Sequence, residues 1–298
     1  MNAGTDHLVV MAPGIRRLRA ANPSPMTGTG TNTYLLQTAA GTVVIDPGPL
    51  LADHLAAVRA ALQPGLPVAA ILISHPHLDH SALARPLADA TGAKVMAFGT
   101  ATSGRSPLMQ RLAAQGLTGG GEGVDTGFAP DIRLIDGQRL TFGAHSIEVL
   151  HCPGHFGGHL CFALDDVLFS ADHVMGWATS LISPPDGDMG AYMASLGHLA
   201  SRHWSRFLPG HGEPVEAPAA RLADLIAHRL ARESAILAAL HAGDHTAQRI
   251  AHRIYLDTPA ALMPAAARSV LAHLIDLWDR NLVSATQTPG PQTPFLPT

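Results

Sequence analysis

A chain of 298 residues that is 47% hydrophobic and 14% charged can build one large domain, or a large and a small one, which excludes a disordered protein. Its formal net charge of −4, with Lys94 the only lysine, gives no support for general polyanion binding. Two cysteines, Cys152 and Cys161, make no disulfide framework, Leu8-Val9-Val10-Met11 is too short for a signal peptide, and no run of about 18 apolar residues suggests a membrane helix, so a soluble cytoplasmic protein is the default expectation.

Taken in order, residues 1–30 read as irregular and close on Pro23-Ser24-Pro25-Met26-Thr27-Gly28-Thr29-Gly30. Residues 33–38 and 42–45 are β-prone and pair as a hairpin, the second ending at Asp46-Pro47-Gly48. Leu51, Leu55, Val58 and Leu62 share one side of a helix over 50–63. The apolar run 68–73 reads as a buried strand and stops at Ser74-His75-Pro76-His77-Leu78-Asp79-His80. A helix over 81–90 and a strand over 94–98 follow. Residues 99–130 are Gly-rich and poorly periodic, a surface insertion with one helix near 106–115; so long a loop is usually functional or mobile. Strands are expected at 131–135, 139–142, 145–151, 160–164, 167–170 and 206–208, with a helix over 188–202. From about residue 218 the character changes: helices over 218–242, 246–256 and 260–280 precede a Pro-rich tail, and the order of helices before a β-wing suggests a small winged-helix-like domain. The division is then 1–217 and 218–298.

The chemistry gathers at strand ends, where ligand sites of α/β proteins commonly lie. His75 and His77, two apart in an extended segment, point to the same side and can grip one metal ion, with Pro76 stiffening the backbone between them. Asp79 and His80 leave the following turn and can face a neighbouring ion. Taken alone, such a cluster is as readily a surface accident. His155, Asp172 and His211 change that weighing, since each lies at the end of an expected strand or in a Gly- or Pro-containing turn just after one. Imidazole and carboxylate donors together suit zinc, manganese or iron.

On these residues the chain resembles the metallo-β-lactamase-fold hydrolase superfamily: His-x-His-x-Asp-His at 75–80, Pro-Gly-His at 153–155, Asp172, Gly-His at 210–211, and Asp46 in Asp-Pro-Gly. The resemblance implies an αββα sandwich with a dinuclear metal site along one edge. It implies that His75, His77 and His155 hold one divalent ion, Asp79, His80 and His211 a second, and that Asp172 bridges them. Zinc is the first expectation, manganese or iron the alternatives. Asp46 would orient a ligand histidine, although it is equally suited to forming a turn. A hydroxide bridging the ions would be the nucleophile, with Asp79 as the proton shuttle.

Other residues carry plainer alternatives. His159 can contact substrate or simply bond to backbone at a strand start; Met175, Trp177, Thr179 and Ser180 can wall a pocket or be ordinary core and loop residues. His151 and His173 read as support residues, and His7, His54, His228, His241, His252 and His273 as solvated ones. Cys152 reads as a small buried residue. Pro-Gly-His-Gly at 209–212 and His-Arg-x-x-Arg-Glu at 228–233 resemble the subgroup with a C-terminal winged helix typified by the endoribonuclease β-lactamase-like protein 2. Fungal polyketide-releasing thioesterases resemble the large domain, and glyoxalase II-type thioesterases its metal site. Seven arginines against six acids over 219–283 leave no strong electrostatic footprint for nucleic acid, so the last helices equally cap the site or form a homo-oligomer interface. The leading expectation is a hydrolase of a small ester, thioester or lactone. Its rivals are an endoribonuclease for single-stranded RNA and a non-catalytic metal-binding or regulatory protein.

Overall fold

The structure, a computed structural model, describes residues 8–120 and 123–298, so the reading of His7 and two residues of the Gly-rich insertion lie outside the described residues. The chain opens with strands β1 (Val9–Ala12) and β2 (Ile15–Arg19), a hairpin where the sequence reads as irregular. Three arginines in five residues hide that strand. Arg17 and Arg19 share Glu213 as an ion-pair partner and Arg16 bonds the Ala61 carbonyl, so tertiary pairing overrides a poor local pattern.

Strands β3 (Asn32–Thr38) and β4 (Gly41–Ile45), helix α1 (Ala52–Ala60), strand β5 (Val68–Leu72), helices α2 (Leu78–Ser81) and α3 (Ala84–Thr91) and strand β6 (Val95–Ala97) follow. Helix α4 (Pro107–Ala114) then leads to strands β7 (Ile132–Arg133), β8 (Arg139–Phe142), β9 (His145–His151), β10 (Leu160–Leu164) and β11 (Val167–Ala171). Helix α5 (Met189–Ala200) and strand β12 (Arg206–Pro209) close the sandwich. Helices α6 (Pro218–His241), α7 (Ala247–Ile254) and α8 (Met263–Asp279) and the hairpin β13 (Val283–Ala285) with β14 (Phe295–Pro297) complete the chain.

Two sheets carry the architecture. A seven-stranded sheet runs β1-β2-β3-β4-β5-β6-β7, antiparallel up to β4 and parallel from β4 onward. A five-stranded sheet runs β12-β11-β10-β9-β8, with β11 and β12 parallel. Alternation along each strand divides the side chains. On β3, Tyr34 and Leu36 join Ile147, Val149, Phe162 and Phe169 between the sheets, while Leu35 turns outward to Val58 and Leu87 of α1 and α3. Cys161 and Leu168 turn outward on the second sheet to meet α5 and the first half of α6. Each sheet is thus covered on both faces, which is why the strand 68–72 reads as an unbroken apolar run. This is the αββα sandwich, with a C-terminal winged-helix domain beside it.

The insertion at 99–130 is not free surface. Met109 and Leu112 of α4 are buried in the core of α6, α7 and α8, together with Leu117. The helical stretch Ala260–Asp279 is long and apolar enough to cross a membrane by length and composition alone, although it contains no unbroken run of about 18 apolar residues. It packs as a core helix instead, burying Val270, Leu271, Leu274 and Ile275.

Candidate metal centre

Five strand ends or the turns after them deliver the donors. Asp46 follows β4, Ser74–His80 follow β5, His155 follows β9, Asp172 follows β11 and His211 follows β12. Two of these exits use the left-handed backbone region that side chains rarely adopt: Asp46 at φ 48° and Ala171 at φ 44°. Gly210 permits a close approach, since a Cβ there would lie 2.4 Å from Asp172 Oδ1 and 2.6 Å from His80 Cε1.

The donors converge in two groups that share a wall. His75 Nε2 lies 2.8 Å and His155 Nε2 3.1 Å from His77 Nδ1. His211 Nε2 lies 3.2 Å and His80 Nε2 3.5 Å from Asp79 Oδ2. Asp172 faces both groups, with Oδ1 3.4 Å from His80 Nε2, and Oδ2 3.3 Å from His211 Nε2 and 3.8 Å from His155 Nε2. His75, His80 and Asp172 form a third metal-compatible triad, so the two groups are contiguous. His80 Nε2 and Asp172 Oδ1 are buried with no hydrogen-bond partner, which is costly for polar atoms unless something fills the space between them.

Four of the five histidines have their tautomer set from behind. The Ser74 hydroxyl donates its proton to Asp46 Oδ2 at 2.6 Å, so toward His75 Nδ1, 2.9 Å away, it can only accept. His80 Nδ1 donates to Asp46 Oδ2 at 2.9 Å, His155 Nδ1 to the Leu181 carbonyl at 2.7 Å, and His211 Nδ1 to the Gly30 carbonyl at 3.3 Å. Each therefore turns an Nε2 lone pair inward, the arrangement that metal-binding imidazoles require. His77 alone presents Nδ1.

Charge agrees with this geometry. Burial, reinforced by the neighbouring histidines, holds His75 well below the usual imidazole range, and burial and His155 bring His77 down to about 3. Burial also lowers His155. Burial opposes the charged form of His80 too, but Asp79 and Asp172 outweigh it and raise His80 well above its ordinary value. The same balance, led by Asp172, lifts His211 to about 9. Burial works against the Asp79 and Asp172 carboxylates, yet His80 and His211 hold both well below the ordinary range. The site thus offers three neutral imidazoles and two ionised carboxylates, and divalent ions would replace the protons of His80 and His211. The residues fit such ions.

Several expected neighbours belong elsewhere. His159 is fully buried, stacks behind His75 at 5.0 Å and has neither ring nitrogen bonded, so it meets neither substrate nor backbone through its ring. Met175 and Ser180 are likewise buried and do not line an open pocket, whereas Trp177 and Thr179 are exposed. Trp177 is 46% exposed and lies over Gly212, where a Cβ would come within 2.5 Å of its ring. His77 and His155 open into a depression also lined by Leu181, Ser183 and Asp186. His151 supports through Nε2, bonded to Gly157 O at 2.8 Å, and His173 is buried. His54 and His273 are buried rather than solvated; His54 bonds Thr33 Oγ1 at 2.9 Å, an enclosure that helical spacing alone does not reveal. His228 is half-buried, and His241 and His252 are exposed. Sequence reasoning misses Thr31, which donates to Asp79 Oδ2 at 3.1 Å, and the carbonyls of Gly30 and Leu181. Ser74 was visible as part of the histidine stretch, but a backbone carbonyl leaves no trace in residue type.

A sandwich whose strand ends bring histidines and aspartates together in this way marks out a class, the metal-dependent hydrolases built on αββα layers. Residues 26–211 match the family described as the metallo-beta-lactamase superfamily, and the chain belongs to it. Residues 246–290 match the beta-lactamase associated winged helix domain. The beta-lactamase-like protein 2 homolog of Drosophila melanogaster is 30% identical over 90% of this chain and 88% of its own. The atrochrysone carboxyl ACP thioesterase of Aspergillus chevalieri is 28% identical over 77% of this chain and 67% of its own. The crystal structure of a beta-lactamase domain protein from Burkholderia ambifaria shares the fold, with a TM-score of 0.80 at 23% identity over 100% of this chain and 95% of that one.

Proposed function

We propose that this metal-dependent hydrolase is dinuclear and cleaves a small thioester, ester or lactone at its carbonyl. His75, His77 and His155 would hold one ion and Asp79, His80 and His211 the other, with Asp172 facing both groups. Divalent ions held there supply Lewis acidity, which polarises a carbonyl and makes water acidic enough to yield a nucleophile near neutral pH. Asp46 orients His80 directly and His75 through Ser74. Asp79 takes up and returns the proton: its side chain is 26% exposed against 11% for Asp172, and its carboxylate is ionised.

The observation that carries the choice of substrate is the fate of the C-terminal arginines. All seven have partners within the chain. Arg221, Arg229, Arg232 and Arg268 donate to backbone carbonyls. Arg249 and Arg253 pair with Asp244, and Arg280 pairs with Glu233 and Asp276. A phosphodiester track needs outward cations in excess of acids, and the exposed ones here, Arg249, Arg253 and Arg280, are each paired with a neighbouring acid. The centre's rim carries two exposed apolar side chains: Leu78, between His77 and Asp79, is 46% exposed, as is Trp177. The Aspergillus relative's thioesterase name agrees with an acyl substrate. Single-stranded RNA is the second reading, resting on the resemblance of residues 209–212 and 228–233 to the endoribonuclease subgroup.

The test is turnover of metal-defined protein on acyl thioesters, lactones, β-lactams and single-stranded RNA in parallel. Thioester or lactone cleavage that disappears in His77→Ala is expected. Cleavage of RNA alone would overturn the acyl reading, and activity surviving His77→Ala would overturn the assigned centre.

A further inference from the structure

The segment between Asp172 and α5 is held from outside the sandwich. Arg221 donates to the Met175 and Ala178 carbonyls at 2.7 and 2.6 Å. Arg268 donates to Ser183 Oγ at 3.0 Å and to the Pro184 carbonyl. Between them Arg229, only 2% exposed, donates through Nη2 to the Ser180 carbonyl. The next carbonyl along the chain, that of Leu181, is the one that accepts from His155 Nδ1.

Arg229 is an expensive residue to place there. A buried guanidinium ordinarily needs a carboxylate, and among the described residues none pairs with it. Its guanidinium carbon instead lies 5.3 Å from the centre of the Tyr192 ring. Tyr192 in turn lies against the other side of His155's turn: a Cβ on Gly154 would come 2.4 Å from Tyr192 Cα, and the tyrosine hydroxyl donates to the His173 carbonyl at 3.1 Å. One side chain of α6 therefore meets the His155 turn along two routes, the Ser180–Leu181 peptide and the Tyr192 ring.

We propose that Arg229 is a positioning residue for the metal centre, holding the Ser180–Leu181 peptide so that His155 keeps its proton on Nδ1 and its Nε2 free for the ion. The inference rests on His155 being a ligand. It makes α6, the helix that follows the sandwich, an outer support of the catalytic site. Arg221 and Arg268 grip the same segment, but farther along the chain from the Leu181 carbonyl.

The test is zinc affinity of the full chain, measured by chelator competition so that two positions are resolved, together with thermal unfolding. His155→Ala weakens one position. Arg229→Met, one step further back than a direct partner of the ligand histidine, weakens that same position by up to about 10-fold, the lower end of what losing a direct partner costs, and leaves the other near the wild-type value. Arg229→Lys, which keeps a buried cationic donor, recovers part of the loss, and Arg253→Ala, which disturbs only the Asp244 pair, changes neither position. A folded Arg229→Met variant with wild-type affinity at both positions overturns the proposal. If Arg229→Met does not fold, imidazole ¹⁵N spectra of the zinc-bound wild type and Arg229→Lys decide. The His155 Nδ1 proton is expected to exchange faster in the variant; equal exchange, or a wild-type proton on Nε2, overturns the proposal. If His155→Ala leaves both positions intact, the ligand assignment itself fails and takes this inference with it, an outcome separate from failure at Arg229 alone.

Discussion

Asp46 accepts three hydrogen bonds on two oxygens: from Ser74 N–H at 2.8 Å, the Ser74 hydroxyl at 2.6 Å and His80 Nδ1 at 2.9 Å. It does so from a left-handed backbone that Asp and Asn tolerate better than other side chains. Asp46→Asn therefore preserves the turn while replacing one acceptor with an NH₂ that must face a donor. We expect the fold to survive and zinc affinity to fall by about 10–100-fold, read by chelator competition. Unchanged affinity would reduce Asp46 to the turn former that its Asp-Pro-Gly setting also suggests. At this scale the site's ligand types were legible, because His and Asp at strand ends are visible in sequence. The atoms fixing their tautomers were legible only in part: Ser74 and Asp46 are side chains, whereas Gly30 and Leu181 act through carbonyls that every residue carries.

Among the elements, legibility follows how local the cause is. Strands β3, β5 and β9 are apolar on both faces or alternate cleanly, and their sequences show it. Strand β2 is held by pairing with β3, and Arg17 within it finds its ion-pair partner in Glu213, almost two hundred residues away, so local pattern does not reveal it. Helix α4 was expected, but not that Met109 and Leu112 dock on the C-terminal helices. Helix α8 holds the clearest reversal, since His273 is buried with neither ring nitrogen bonded. Burial, with Arg229, His228, Arg280 and Arg232 around it, brings its pKa down to about 3. A folded pKa below the unfolded value of about 6.5 means that the unfolded chain binds the extra proton first. The stability contributed by the neutral ring is complete above about pH 6.5 and is lost as pH falls toward 3. His273→Leu removes this liability. Relative to pH 7, the wild type should lose about 2 kcal/mol more than the variant by pH 5, seen in urea unfolding at the two pH values. Parallel pH dependence of the two proteins would mean that His273 is accessible to protons in the folded state.

For the whole molecule, α6 decides how independent the two domains are. Its first half contributes Leu222 and Leu225 to the layer over the five-stranded sheet, and its second half contributes Ile236 and Leu240 to the core of the C-terminal helices. Arg221 and Arg229 of the same helix hold the segment behind His155. The winged-helix match begins only at residue 246, so α6 lies between the two matched regions and serves both cores. Removing everything after residue 217 strips two buried leucines from the sandwich, each worth about 2–5 kcal/mol when truncated to alanine, and that alone rivals the total stability of a typical domain. A chain of residues 1–217 should therefore fail to form a zinc-binding fold. A chain of residues 1–241 keeps both leucines and both arginines; it should bind zinc, but melt at lower temperature, because Ile236 and Leu240 lose their partners. Zinc titration and thermal unfolding of the two truncations against the full chain check the order. Full-length affinity in residues 1–217 would show that the sandwich sustains its centre alone and that the C-terminal helices serve some other end.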